Sequence, residues 1–308
     1  MKININSEIF NIEKIKNIEE YFPDYVDTYL KSYIRFLEKD KIETDIIRLI
    51  KEFSRNIYIC LVEYYCGQHD SAKYYFDQAI SCVNFKDVYK PLNENVFYRA
   101  RKSDKSCRTK DEMFHIPLEK RYLVSTQRYS YPGLPCLYLG SSYEVCCEEL
   151  NDWNENLSIA HIEQNSPNKM MILDLHFFEE YNFENISDMD VEKFVRLWPL
   201  VACCSFVYEN SKDMKFRPDY IIPQLLLEYI IDKNADADLK NTGQKVCGIK
   251  YHSVKKAFFK NNKKASKVTY NNYVFPIISN QSKGYCNVLK EQFSVKWVRL
   301  LGELKNEL

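Results

Sequence analysis

The sequence predicts an α+β protein, a helical N-terminal bundle followed by a larger mixed domain. Two observations carry this. Apolar residues recur at three- and four-residue steps through residues 10 to 85, the period of helices with one buried face. From about residue 95 the texture changes to short apolar or alternating runs bounded by Pro, Gly, Asn or Asp, the signature of strands and turns, with helical stretches such as "DVEKFVRLWPLVA" between them.

In "DYVDTYLKSYIRFLEKD" the helical stripe is Tyr25, Val26, Tyr29, Leu30, Tyr33, Ile34 and Leu37. "ETDIIRLIKEFSRNIYICLVEYYCG" continues it with Ile46, Ile47, Leu49, Ile50, Phe53, Ile57 and Leu61, and Gly67 stands where a helix C-cap is expected. "DSAKYYFDQAISCV" gives a third helix. The polar stretch "KDVYKPLNEN", with Pro91, marks a seam, so residues 1–90 are expected to form the helical region and 91–308 the mixed domain.

Within the second region the runs "NVFYRA", "PCLYLG", "LSIAHIE", "KMMILDLHF", "ACCSFVYE", "YIIPQLLLEYI" and "VCGIKY" are short and apolar, several of them of strand length. In "YSYPGLPCLYLGSSYEVCCEEL" a turn precedes a buried strand. Ser141 followed by Glu144 reads as a capping box that starts a helix. That helix carries Cys146 and, three residues on, Glu149; Glu148 points about 100° away from Glu149 on the 3.6-residue period.

Composition narrows the function. A chain of 308 residues with 45% hydrophobic content can bury a substantial core. Its 43 basic and 43 acidic residues cancel, so no global field draws it to nucleic acid or an anionic membrane. The N-terminal residues lack the apolar core of a signal peptide, and nothing resembles the run of about 20 apolar residues that spans a bilayer. A cytoplasmic protein with no membrane partner is expected. Its 11 cysteines, with no CxxC, are expected to be reduced and mostly buried. Five scattered histidines show no metal-ligand spacing, so no metal is expected. Seven glycines form neither a dinucleotide-binding fingerprint nor a P-loop.

The lysine-rich stretch "KYHSVKKAFFKNNKKASK" is expected to be a solvated face, with attraction of phosphates as the alternative. The acidic "DLHFFEEYNFENISDMDVE" lacks the ligand spacing and turn glycine of a cation-binding loop. Arg99, on the apolar run "VFYRAR", needs an anionic partner, either a structural carboxylate or a phosphate.

The order of "FYRA", "QRYSYPGLPCLYLGSSYEVCCEEL", "ACCSFVYENSKDMKFRPDYIIPQLLLEYI" and "GIKYHS" resembles the RES domain, named for its Arg, Glu and Ser. The resemblance covers roughly residues 95 to 255. It implies an ADP-ribosyltransferase-like fold with split antiparallel sheets. By position the arginine is Arg99, the glutamate Glu149 with Glu148 as the alternative, and the serine Ser205, with Ser253 as a rival. The family's Gly-Arg-aromatic-Asn element is represented by Gln127, Arg128, Tyr129 and Ser130, keeping Arg128 and Tyr129 but losing the Gly and the Asn.

The resemblance implies a toxin-type enzyme that consumes NAD as its substrate and needs no other cofactor. Glu149 would stabilise an oxocarbenium-like ribose and hold a ribose hydroxyl. Arg99 and Arg128 would clamp the pyrophosphate, Tyr98 and Tyr129 would stack on a ring, and Ser205 or Ser253 would bond the ribose or nicotinamide or orient Glu149. An antitoxin or other regulatory protein is the implied partner, in a toxin–antitoxin or antiphage setting, and a homo-oligomer stays open. Two alternatives remain beside NAD cleavage: transfer of ADP-ribose to a protein or nucleic acid, and a catalytically silent interaction module.

Overall fold

The computed structural model describes residues 3–4, 7–83, 88–102, 107–166, 170–176, 187–209, 211, 214–235, 245–255, 270–277 and 281–306. Its contacts divide into two compact units. The first contains the described residues of 1–88 and 177–229, the second those of 89–176, 230–256 and 262–308.

The first unit is helical. Helices α1 (Phe22–Lys39), α2 (Thr44–Tyr65) and α3 (His69–Ser81) follow the predicted stripes; α1 buries Val26, Leu30, Tyr33, Ile34 and Leu37. Gly67, at φ +75°, closes α2 in a Schellman motif, with Gln68 N–H donating to Glu63 O and Gly67 N–H to Tyr64 O. The segment 188–229 groups with these helices.

The run "ACCSFVYE", expected as a strand, is instead the end of α5 (Asp188–Ser205) in its first half and irregular beyond it, with Tyr208 bridged to Ile15. Its β-branched, aromatic and cysteine residues hid a helix whose buried positions, Val191, Phe194, Val195 and Trp198, keep the helical period. Ser187 caps α5, its Oγ accepting from Asp190 N–H. Pro199 inside α5 has no N–H to give the carbonyl four residues back, and Tyr33 OH donates to that carbonyl, Val195 O, at 3.0 Å. Phe10 packs against Tyr33, Phe194 and Trp198 to complete an aromatic core. "YIIPQLLLEYI" is also helical, from its second residue on within α6 (Ile221–Ala235). Six of its first seven residues are apolar and all seven are buried, so no amphipathic period was there to read.

The second unit is built on one eight-stranded sheet. Its strands are β1 (Tyr89–Pro91), β2 (Val96–Arg101), β3 (Cys136–Gly140), β4 (Ser158–Gln164), β5 (Met170–Asp174), β6 (Lys245–His252), β7 (Asn271–Pro276) and β8 (Phe293–Leu300). The order is β1-β5-β6-β7-β3-β2-β4-β8, antiparallel throughout except for β5 beside β6. With the helices of the first unit this is the α+β arrangement expected.

In place of the expected split antiparallel sheets there is one continuous mixed sheet, in which β2 and β3 are joined by a single residue pair, Tyr98 with Gly140. Six pairs link β2 to β4 and five link β3 to β7. The ladder is therefore closed on either side of a seam that stays nearly open. Phe97, Leu137, Leu139, Tyr273 and Phe275 belong to the main core, while Ile159, Cys147 and Leu301 form a smaller one under helix α4 (Tyr143–Leu150). Two short helices, α7 (Asn287–Gln292) and α8 (Leu301–Asn306), flank β8.

Candidate functional site

Helix α4 positions the site. Its N-cap is Ser142, not the expected Ser141: Ser142 Oγ accepts from Val145 N–H, while Ser141 is held by β7, its N–H donating to Asn271 O and its Oγ accepting from Asn271 N–H. Backbone pairing thus runs one residue past β3 before the helix begins. Gly140 lets α4 approach. A Cβ there would stand 2.7 Å from Cys146 Sγ and 3.2 Å from Ser142 O, inside contact distance. Asn151, at φ 49°, ends the helix, and Lys255 Nζ donates to the terminal carbonyls of Glu148 and Glu149 at 2.6 and 2.8 Å.

The carboxylate of Glu149 reaches across to β7 and the end of β6. Its Oε1 accepts from Ser253 Oγ at 2.5 Å and from Asn272 Nδ2 at 2.8 Å. Ser253 and Asn272 are buried and Glu149 is half-buried, so two sheltered donors meet a charged acceptor. Lys255 N–H donates to Ser253 Oγ at 3.4 Å, which leaves the serine hydroxyl proton for Glu149. Around them Asn271 and His176 are buried, with His176 Nδ1 2.6 Å from Asn271 Oδ1, and the rings of His176 and His252 lie 4.5 Å apart.

Arg99 lies at the seam between β2 and β3. Its Nη1 donates to Tyr138 O at 3.4 Å, and among the described residues it makes no other hydrogen bond and no ion pair. Burial, with the like charge of Arg101, draws its guanidinium down to about 9, so it remains protonated at neutral pH. A half-buried guanidinium with one of five donors engaged and no carboxylate beside it fits an anionic ligand. Arg99 follows Tyr98, whose carbonyl accepts from Cys146 Sγ, and Cys146 stands about one helical turn before Glu149 on α4. Burial above all, with Cys147 and Glu149 assisting, pushes the Cys146 thiol up to about 12 against the opposing pull of Arg99.

The other expected residues divide. Tyr98 is half-buried, meeting Tyr143 and His161 edge-on, and its carbonyl accepts from Cys146 Sγ. Tyr129 is buried against Tyr251 with ring centroids 4.6 Å apart, so it is a core residue and not a free stacking surface. Arg128 belongs to a tight loop closed by reciprocal backbone bonds between Gln127 and Ser130. Ser130 takes a structural place there, its Oγ accepting from Tyr138 OH at 3.1 Å.

Ser205 ends α5 in the helical unit, and its hydroxyl donates to Val201 O at 2.6 Å. It is a helix serine bonded to its own backbone; Ser253 is the serine that meets Glu149. The sequence reading missed Asn272, because "NNYVFP" carries no catalytic pattern. Most of the lysine-rich stretch and most of the acidic cluster lie outside the described residues. Among the described residues no group of His, Cys, Asp and Glu is placed to hold a metal ion, and no helix is long and apolar enough to cross a membrane.

Comparison with known proteins gives one informative similarity. A protein of Bacillus subtilis (strain 168) named "Putative toxin YopC" is 28% identical over 300 residues, covering 91% of this chain. The chain spans 65% of the length of that relative. No family model matches the chain, and no solved structure does.

Proposed function

We propose that the sheet unit is the catalytic part of a toxin-type enzyme that consumes NAD by breaking the nicotinamide–ribose bond. The observation that carries this reading is Glu149, with Oε1 held by Ser253 and Asn272, on the helix whose Cys146 bonds the backbone of Tyr98 next to the unpaired Arg99. The similarity to a protein named as a toxin over most of the chain supports the toxin part, and the RES-like order of Arg99, Glu149 and a serine supports the chemistry.

In this scheme the bond from ribose C1′ to the nicotinamide nitrogen breaks, and its electron pair leaves with neutral nicotinamide. Positive charge develops on C1′ and the ring oxygen, and the carboxylate of Glu149 stabilises it while holding a ribose hydroxyl. Water then adds its oxygen to C1′, releasing a proton and giving ADP-ribose. Because the departing pyridinium becomes neutral, the step needs no strong general acid. Arg99 holds the pyrophosphate through its planar donors.

Incubation of the purified protein with NAD, following nicotinamide release beside the Glu149→Gln and Arg99→Met variants, tests the reading. NAD radiolabelled in the ADP-ribose part distinguishes release of free ADP-ribose from transfer to a macromolecule: label on a protein or nucleic acid band replaces hydrolysis by ADP-ribosyl transfer.

A further inference from the structure

Asn272 occupies a position whose chemistry is otherwise hard to explain. It lies in β7, paired with Tyr251 of β6 on one side and Gly140 of β3 on the other, and its side chain is buried. Asparagine is disfavoured inside strands, and a buried amide without partners is costly. Gly140, directly opposite, has no side chain, and the same glycine admits α4 to close contact with β3. The space above Asn272 is thereby left for the carboxylate of Glu149, which descends from the last turn of α4. A carboxylate only accepts, so the amide turns its Nδ2 toward it.

Both donors reach the same oxygen. Ser253 and Asn272 converge on Oε1, and Glu149 Oε2 has no hydrogen-bond partner among the described residues. Two donors from separate segments, one in β7 and one just past β6, fix the plane of a carboxylate in a way that one donor cannot. We infer that Asn272 is a positioning residue that, together with Ser253, holds Oε1 so that Oε2 is presented to the substrate ribose. This rests on the proposed NAD-cleaving role of Glu149 and adds a residue to it.

The test uses the full chain with Asn272→Ala and the near-isosteric Asn272→Asp. Asn272→Ala is expected to lower kcat at least tenfold with KM within about twofold, because the lost contact orients the carboxylate and does not touch the dinucleotide. Asn272→Asp sets two carboxylates against each other, and the acid limb of its pH–rate profile is expected to move up by about one unit or more as the pair shares a proton. Wild-type kcat in Asn272→Ala, or an unmoved acid limb in an active Asn272→Asp, overturns the inference.

A readout independent of turnover separates this from failure of the NAD reading. In a double-mutant cycle on thermal unfolding, Asn272→Ala should lower Tm clearly more in the wild-type background than in Glu149→Ala. Equal losses in the two backgrounds mean the residues are uncoupled and overturn the positioning role. If the cycle shows coupling while the wild type releases no nicotinamide, the contact stands, but the NAD reading fails and takes the assigned purpose of the contact with it.

Discussion

Ser253 Oγ donates to Glu149 Oε1 at 2.5 Å, joining the end of β6 to the last turn of α4 across 104 positions of sequence. The contact identifies which serine serves the candidate carboxylate. Ser253→Ala is therefore expected to cut nicotinamide release tenfold or more, whereas Ser205→Ala, which removes only a bond to its own helix carbonyl, should leave the rate within about twofold of wild type. Parallel steady-state assays of the two variants check this; the reverse ranking would return the role to Ser205.

Arg99 presents a planar fork at the seam of the sheet. Arg99→Lys keeps the charge but loses the paired donors, and kcat/KM for NAD is expected to fall tenfold or more, mainly through KM. Calorimetric titration with ADP-ribose should show the same weakening. Unchanged affinity in Arg99→Lys and Arg99→Met would remove the arginine from the binding site.

Burial pulls His115 down to about 4 from its ordinary 6.5, and its ring is committed on both sides, with Nδ1 2.8 Å from Ile116 O and Nε2 accepting from Cys286 N–H. The unfolded chain therefore binds a proton that the folded chain refuses between those two values. Stability is fully present above about pH 6.5 and falls as the pH drops toward 4, by about 3 kcal/mol from this group. Urea unfolding across pH 4 to 7 measures the slope, and His115→Leu should flatten that part of it while lowering stability at pH 7.

Gly140 is the point at which α4 and β3 come closest. Gly140→Ala is expected to destabilise by about 1–3 kcal/mol through overpacking against Cys146 and to reduce activity by lifting Glu149 from Ser253. Cys146→Ala in the same chain should recover part of the stability by removing the sulfur that the new methyl meets. Thermal unfolding of the single and double variants reads this directly; strictly additive losses would mean that the crowding lies elsewhere.

The periodic parts of the fold were legible. Leu30, Tyr33, Ile34 and Leu37 announced α1, Gly67 marked the end of α2, and "PCLYLG" was a strand. Where one face is not polar, the period vanishes: α6 begins almost entirely apolar and buried, and the cysteine- and aromatic-rich end of α5 imitated a strand. At the site, the helix that carries Glu149 was legible because turn, strand and helix start are adjacent in sequence. Of the glutamate's partners, Ser253 stood only as the rival of Ser205 and Asn272 was not seen, since both lie far along the chain and only pairing of β3, β6 and β7 brings them to α4. Ser205 had the right neighbours in sequence, but it lies on a helix in the other unit.

The most direct measurement is nicotinamide release from NAD by the wild-type chain and by Glu149→Gln at matched concentration. The account predicts turnover by the wild type and a loss of at least a hundredfold in the variant, with the fold retained by thermal unfolding. Wild-type turnover that persists undiminished in Glu149→Gln, or the absence of any NAD loss with the wild type, would contradict it.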